Sequence, residues 1–147
     1  MKKIILVLCA VCVMGGCAAA MPAWDDFRVQ GNIYPEPLPG KALVYFYKEL
    51  QWDGVTYYVW DNDKKIGAAG GGYYFFYHAD PGERFFWAET EVKRFLPLRV
   101  EAGKTYFIHM SWEIGFWAGH PVFARVPEQI GYQAIRGMKY ATVQDTQ

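Results

Sequence analysis

The chain has little of what catalysis and disulfide bonding need. Its 147 residues include three histidines, three cysteines and a single serine, Ser111. Two of the cysteines, Cys9 and Cys12, lie in an apolar leader. A processed chain would therefore keep Cys17 alone and could form no internal disulfide. Thiol catalysis is also excluded once Cys17 is modified.

An excess of positive charge is lacking as well. The chain has 15 basic and 15 acidic residues, and without the two lysines of the leader 13 basic residues face 15 acidic ones, a net charge of −2. Proteins that bind nucleic acid usually carry a basic patch or stripe. The sequence therefore predicts no nucleic-acid partner.

Long apolar runs are absent except at the N-terminus. Lys2 and Lys3 precede ten apolar residues, 4–13. This run is too short for a membrane-spanning helix, which needs roughly 20 residues, but it fits the core of a signal peptide. Two cleavage sites compete: one before Cys17, and one after Ala20 by ordinary signal peptidase.

The residues before Cys17 favour lipid attachment. The sequence Met-Gly-Gly-Cys at residues 14–17 resembles a bacterial lipobox, although Met14 stands where leucine is usual. A lone thiol in an oxidising compartment is a liability that acylation removes, and several acyl chains anchor a protein firmly. We therefore expect Cys17 to carry diacylglyceryl and palmitate-type chains. By resemblance to Gram-negative lipoproteins, Ala18 favours the outer membrane, with the domain in the periplasm or at the cell surface.

Composition divides the chain into four parts. Residues 1–16 are predicted to be the signal peptide, residues 17–40 a proline-rich tether that packs in part on the domain, residues 41–140 a β-domain and residues 141–147 a tail. Aromatic residues are abundant, with 6 Trp, 11 Tyr and 10 Phe, and such residues favour strands. Turn signals separate eight strand-like segments, at residues 42–47, 55–60, 65–68, 73–78, 84–91, 95–101, 105–113 and 122–125.

Strands this short and frequent predict an all-β fold, a small antiparallel sandwich of about seven to eight strands. The last segment differs, because Pro127 suits the first position of a helix. Four apolar residues could then share one helical face, Ile130, Ala134, Ile135 and Met138. A short C-terminal helix is predicted, ended by Gly137 and weakened by Gly131.

Three segments resemble a known bacterial family: residues 40–47 (GKALVYFY), residues 59–91 with the groups KIG, PGE and AETE, and residues 98–108 (LRVEAGKTYFI). Together they are similar to the family called domain of unknown function 2846, and more distantly to PEGA-type surface domains. The resemblance implies a small exported β-sandwich that is often a lipoprotein. It implies no catalytic residues and no cofactor.

The polar residues give no strong catalytic or metal-binding pattern. No two of His78, His109 and His120 lie at close metal-ligand spacing. Ser111 and His109 would share a strand face about 6.6 Å apart, which is beyond the hydrogen-bond reach of a nucleophile and its base. The sequence therefore predicts neither a metal site nor an enzyme.

A pair of acids has an ordinary interpretation as well. Glu89 and Glu91 are two residues apart, with Lys93 and Arg94 close by. Side chains two apart on a strand point to the same face. This spacing predicts an ion network on a solvated surface rather than a pair of catalytic carboxylates.

The aromatic segment 112–120 is the candidate contact site. It holds Trp112, Phe116, Trp117 and His120 between glycines. Exposed aromatic residues in such a loop bind a glycan or a protein partner; alternatively the loop folds back and caps the core. We expect a non-enzymatic binding module with a glycan or an envelope protein as its ligand. The alternatives are a structural component that self-associates and, third, an enzyme such as a hydrolase.

Overall fold

Residues 27–51, 54–116 and 119–143, the parts described in the computed structural model, form ten strands and one helix. In chain order the elements are β1 (Phe27–Gln30), β2 (Ala42–Lys48), β3 (Tyr57–Asp61), β4 (Lys64–Ala69), β5 (Tyr73–Ala79), β6 (Gly82–Glu89), β7 (Lys93–Val100), β8 (Thr105–Glu113), β9 (His120–Val126), α1 (Glu128–Ile135) and β10 (Lys139–Val143). The prediction of an all-β sandwich with a short C-terminal helix is confirmed.

The strands form two sheets. One has six strands in the order β1-β10-β5-β2-β8-β9, and the other has four in the order β4-β3-β6-β7. The pairing is antiparallel, as expected, except in two places, where β2 runs parallel to β8 and β10 runs parallel to β5. Between β2 and β8 the chain visits the four-stranded sheet twice, so β8 returns in the same direction as β2.

Two predicted turns connect these strands. Asn62, between β3 and β4, has a φ of 50°, which asparagine tolerates better than most residues. Gly82, within the turn signal at residues 80–83, has a φ of 119° that only glycine adopts without strain. At Gly82 the chain passes from β5 in the larger sheet to β6 in the smaller one.

The core between the sheets is aromatic. Phe46 on β2 stacks on Phe75 with ring centroids 5.0 Å apart and meets the edge of Phe86 at 5.1 Å. All three rings are almost completely buried. Because Phe86 belongs to the smaller sheet, these contacts join the two layers.

The other face of the six-stranded sheet is covered too. Residues 31–39, which we call the strap, cross it beyond β1. The Tyr74 hydroxyl donates to the carbonyl of Ile33 (2.9 Å) and accepts from its amide (3.0 Å), and Tyr34 stacks on the Tyr74 ring at 5.8 Å. Within the segment expected to be a tether, residues 31–39 are therefore packed on the domain.

Helix α1 covers the rest of that face. Gly131 packs so closely on Phe107 that a Cβ atom there would lie 2.1 Å from Cγ of that ring. Ile135 is buried beside it, whereas Ile130 is exposed. The expectation that Ile130 lies on the buried face is therefore wrong, because the close approach at Gly131 rotates the helix away from that position.

The ends of the described chain meet in the sheet. Phe27 pairs with Val143 across β1 and β10, so strands extend beyond the expected domain bounds of 41 and 140. At one side of the sandwich β7 contacts β9, and at the other β4 contacts β5 and β10. These contacts cover the edge strands β4, β7 and β9.

Candidate binding loop and aromatic sheet face

The loop between β8 and β9 displays two apolar side chains to solvent. Ile114 and Phe116 are 86% and 83% exposed. Large apolar residues exposed to this degree at one place are typical of contact sites. The predicted contact segment therefore contains an apolar tip.

The base of this loop is held by charged residues of neighbouring strands. Glu91, in the turn between β6 and β7, accepts a hydrogen bond from the Phe116 amide at 2.8 Å and another from Nε2 of His120 at 2.8 Å. Nδ1 of His120 lies 3.9 Å from Glu113, which is paired with Arg94. One carboxylate thus fixes both the ascending and the descending side of the loop.

A second set of contacts holds the descending side. The carbonyl of Gly119 accepts from the Thr90 hydroxyl at 3.1 Å and from the Tyr57 hydroxyl at 3.3 Å. A Cβ atom at Gly119 would lie 3.0 Å from the Trp112 ring, which is tighter than ordinary packing. The loop base is therefore specified by close packing as well as by hydrogen bonds.

The predicted contact residues fall into different surroundings. Phe116 is at the exposed tip, Trp112 packs against the core and His120 is held in the base by Glu91. Trp117 lies outside the described residues, as do Cys17 and the leader. Sequence reasoning missed Glu91, Thr90 and Tyr57 as parts of this site, because each reaches the loop from more than twenty residues away.

The outer face of the four-stranded sheet is a second candidate surface. Trp60, Trp87 and Phe95 are cross-strand partners on β3, β6 and β7, and we call them the aromatic row. The Trp60 and Trp87 rings are stacked, with centroids 5.0 Å apart and planes within 5°. On this face Phe85 and Phe95 are the exposed large hydrophobic residues, at 47% and 60%.

Charged side chains surround the aromatic row. The Lys93 ammonium lies 3.7 Å from the Trp87 ring centroid, an attractive cation–π geometry. Lys93 also lies 3.7 Å from Glu89, as the predicted surface ion network requires. Glu91 does not join that network, because it turns to His120 instead.

The three histidines do not converge. His78 donates to the carbonyl of Glu36 at 3.2 Å, the His109 ring lies 5.1 Å from Tyr47, and His120 is bound to Glu91. Within the described part of the chain no three His, Cys, Asp or Glu side chains lie close enough together to hold a metal ion.

A buried ion pair is the nearest arrangement to a catalytic one. Asp61 is 2% exposed and accepts from Nε of Arg84 at 3.0 and 3.2 Å. These hydrogen bonds raise the pKa of the Arg84 guanidinium, and burial together with Asp61 raises the pKa of the Tyr77 hydroxyl. Arginine stays protonated near neutral pH, so the pair joins β3 to β6 through charge-assisted hydrogen bonds.

A groove of about 710 Å³ opens elsewhere, where the starts of β8 and α1 meet the end of β9. Arg125 in its wall lies 5.0 Å above the Tyr106 ring, and Lys104 is paired with Glu101 at 2.8 Å. Both cations are thus engaged by other side chains. The groove lies at the opposite end of the β8–β9 hairpin from the candidate loop and shares none of its residues.

Comparison with known proteins adds no relative to this description. No protein-family model, curated protein or solved structure matches the chain. The resemblance to domain of unknown function 2846 therefore stays a prediction. In the described ranges, no helix has the length and apolar character needed to cross a membrane.

Proposed function

We propose that this chain is an exported, lipid-anchored envelope protein that acts as a non-enzymatic binding module. The anchor is Cys17, which follows the lipobox-like residues 14–16. The module is the sandwich, and the outer membrane is its location. Its contact with a ligand runs through the tip of the β8–β9 loop.

One observation carries this proposal: an apolar tip stands on a base that is already ordered. Ile114 and Phe116 are exposed, while Glu91 binds the backbone next to them. Binding through a preorganised loop loses less conformational entropy than binding through a flexible one. Aromatic side chains at the centre of an interface commonly carry most of its binding energy.

The chemistry of the tip favours a protein partner. A sugar would need polar side chains for its hydroxyl groups, and two of those at the loop base, Glu91 and His120, already bind each other. A protein pocket needs only to enclose the apolar side chains. The partner is therefore an envelope protein with an apolar cleft.

A glycan is the second candidate, favoured by a different surface. The aromatic row presents rings beside the charged pairs Glu89–Lys93 and Glu83–Arg99. Sugar recognition uses such combinations of apolar faces and hydrogen-bonding groups. However, Trp87 has Trp60 on its ring and Lys93 above it, which leaves less ring surface for a sugar.

Self-association through sheet edges is the weaker alternative. Pro97 in β7 and Pro121 in β9 lack the amide hydrogen that strand pairing uses. Both strands also contact each other across the side of the sandwich. A new strand would have to displace these contacts.

The test is photo-crosslinking in living cells with benzoylphenylalanine at position 116. The matched control carries the same residue at position 50, because Leu50 is also 83% exposed but lies after β2, outside the loop. We expect a discrete adduct from position 116, none from position 50, and loss of the adduct with Ile114→Ser. Absence of an adduct at 116, or equal adducts at both positions, would contradict the loop as the contact site.

The class of partner is read from the adduct itself. An adduct whose extra mass lysozyme removes identifies peptidoglycan. An adduct that lysozyme leaves unchanged, and whose tryptic peptides include those of a second protein, identifies a protein partner. The anchor is checked separately by the intact mass of the membrane-extracted protein. The mass of residues 17–147 plus acyl groups is expected, and an unmodified chain beginning at Met21 would refute acylation.

A further inference from the structure

The layer over the six-stranded sheet displays an apolar surface to solvent. The strap exposes Ile33, Tyr34 and Leu38, and α1 exposes Ile130. We call these four side chains the strap patch. All four are large exposed hydrophobic residues, and none belongs to the candidate loop. The Tyr34 ring also stacks on buried Tyr74.

The strap and α1 form one continuous layer. The Tyr45 hydroxyl donates to the carbonyl of Pro35 in the strap at 3.3 Å, and its ring meets Tyr132 of α1 at 6.2 Å. Glu36 of the strap is close enough to Tyr132 to raise the pKa of its hydroxyl, after burial and Glu128. The strap patch therefore belongs to a single side of the sandwich.

The anchor leaves the domain next to this layer. Ten residues, 17–26, separate Cys17 from β1, and β1 leads directly into the strap. Ten residues span at most about 35 Å when fully extended and about 17 Å as a flexible chain. A sandwich has two sheets about 10 Å apart with further layers outside them, so the shorter of these two spans is less than the thickness of the domain.

We infer that the strap patch rests on the lipid bilayer, with Leu38 and Ile33 in the interfacial region and the four-stranded sheet facing away. Apolar side chains next to a lipid anchor add to its membrane affinity, because buried apolar area and acyl chains contribute together. Tyr34 suits the same position, because tyrosine prefers the membrane–water interface. This orientation rests on the proposed acylation of Cys17.

The experiment measures the depth of two spin labels on the full lipidated protein. After processing and acylation an introduced cysteine is the sole free thiol, so Leu38→Cys and Phe85→Cys each take one nitroxide. The two positions are matched in exposure, 53% and 47%, and lie on opposite sides of the sandwich. Each variant is reconstituted in vesicles of phosphatidylethanolamine and phosphatidylglycerol, with intact mass and melting temperature recorded.

We expect the label at position 38 to collide more with oxygen and less with a water-soluble nickel complex than the label at position 85. Equal, water-like accessibility at both positions in an acylated protein would overturn the inference and leave the anchor intact. Deeper immersion of position 85 would reverse the orientation. Spin–spin broadening at position 38 would show a second copy on the strap patch instead, and a protein without acyl groups would refute anchor and docking together.

Discussion

Strands β2 and β6 show how differently the two sheets are built. Every residue of β2 is buried, because one of its faces meets the other sheet and the opposite face lies under the strap and α1. In β6 buried Phe86 lies between exposed Phe85 and half-buried Trp87. The six-stranded sheet is thus a middle layer, whereas the four-stranded sheet keeps one face in solvent. In the sequence, a strand buried on both faces is a continuous apolar run. A strand with one face in solvent alternates buried and exposed residues.

The largest expected loss of stability distinguishes a buried phenylalanine, Phe46, from an exposed one, Phe85. Phe46→Ala empties a fully buried site between Phe75 and Phe86 and should lower the free energy of unfolding by about 3–5 kcal/mol. Phe85→Ala, on the exposed face, should cost well under half of that. Urea denaturation of both variants measures the difference, and equal losses would mean that the outer face is also a packed layer.

The next largest loss of stability concerns helix α1, which packs on the six-stranded sheet. Gly131→Ala places a methyl group against Phe107 and should cost about 2–3 kcal/mol, because a packed site has no room for it. Gly137→Ala is the control, since nothing lies within 4 Å of its Cβ position. Thermal melting of the two variants should diverge; similar melting temperatures would mean that α1 moves away from the sheet at little cost.

The strap should depend on a single hydroxyl group. Tyr74→Phe removes two hydrogen bonds with Ile33 and should cost about 1–2 kcal/mol at pH 8, with faster amide exchange at Ile33. Tyr140→Phe keeps both bonds and is the control for exchange. Unchanged protection of Ile33 in Tyr74→Phe would show that stacking and packing alone hold the strap.

The same residue predicts a dependence on alkaline pH. Burial raises the pKa of the Tyr74 hydroxyl to about 12 from its ordinary value of 10.0. The folded protein then keeps a proton that the unfolded chain has lost, so this contribution to stability is complete below pH 10 and is lost as the pH rises to about 12. Urea unfolding at pH 8, 10 and 11 should give a shallower decline for Tyr74→Phe than for the parent chain.

The smallest effect is local to the loop. Glu91→Ala removes the acceptor for the Phe116 amide and for His120, and exchange of that amide should become about tenfold faster, or about 1.4 kcal/mol. Glu89→Ala removes a neighbouring exposed carboxylate and should leave it unchanged. A global loss of stability in Glu91→Ala would mean that the loop base is part of the core.

Local patterns predicted the strands that lie between clear turns. The run of β2, the turn at Asn62 and the turn that contains Gly82 were all visible in the sequence. β1 was missed because Phe-Arg-Val-Gln is short and stands near several prolines. β10 was missed because its residues follow a helix and pair with strands far away in the chain.

The candidate site, like the fold, was predicted only in part. The aromatic loop itself was predicted from its composition, but the residues that hold its base come from the turn after β6 and from β3. Nothing in the local sequence of Glu91 distinguishes it from Glu89, and their partners differ because of the fold. Gly131 looked like a weakness of the helix, yet the approach of Phe107 requires a residue without a side chain there.

The parallel pairing of β2 with β8 has a consequence for how the chain reaches its folded state. Val44 meets Tyr106, and β1 joins the sheet only through β10 at the far end of the described residues. Contacts between such distant residues form slowly. During synthesis the early strands leave the ribosome before the strands that they pair with exist. The larger sheet is therefore completed last, and the chain stays unfolded for longer than a chain built from local hairpins.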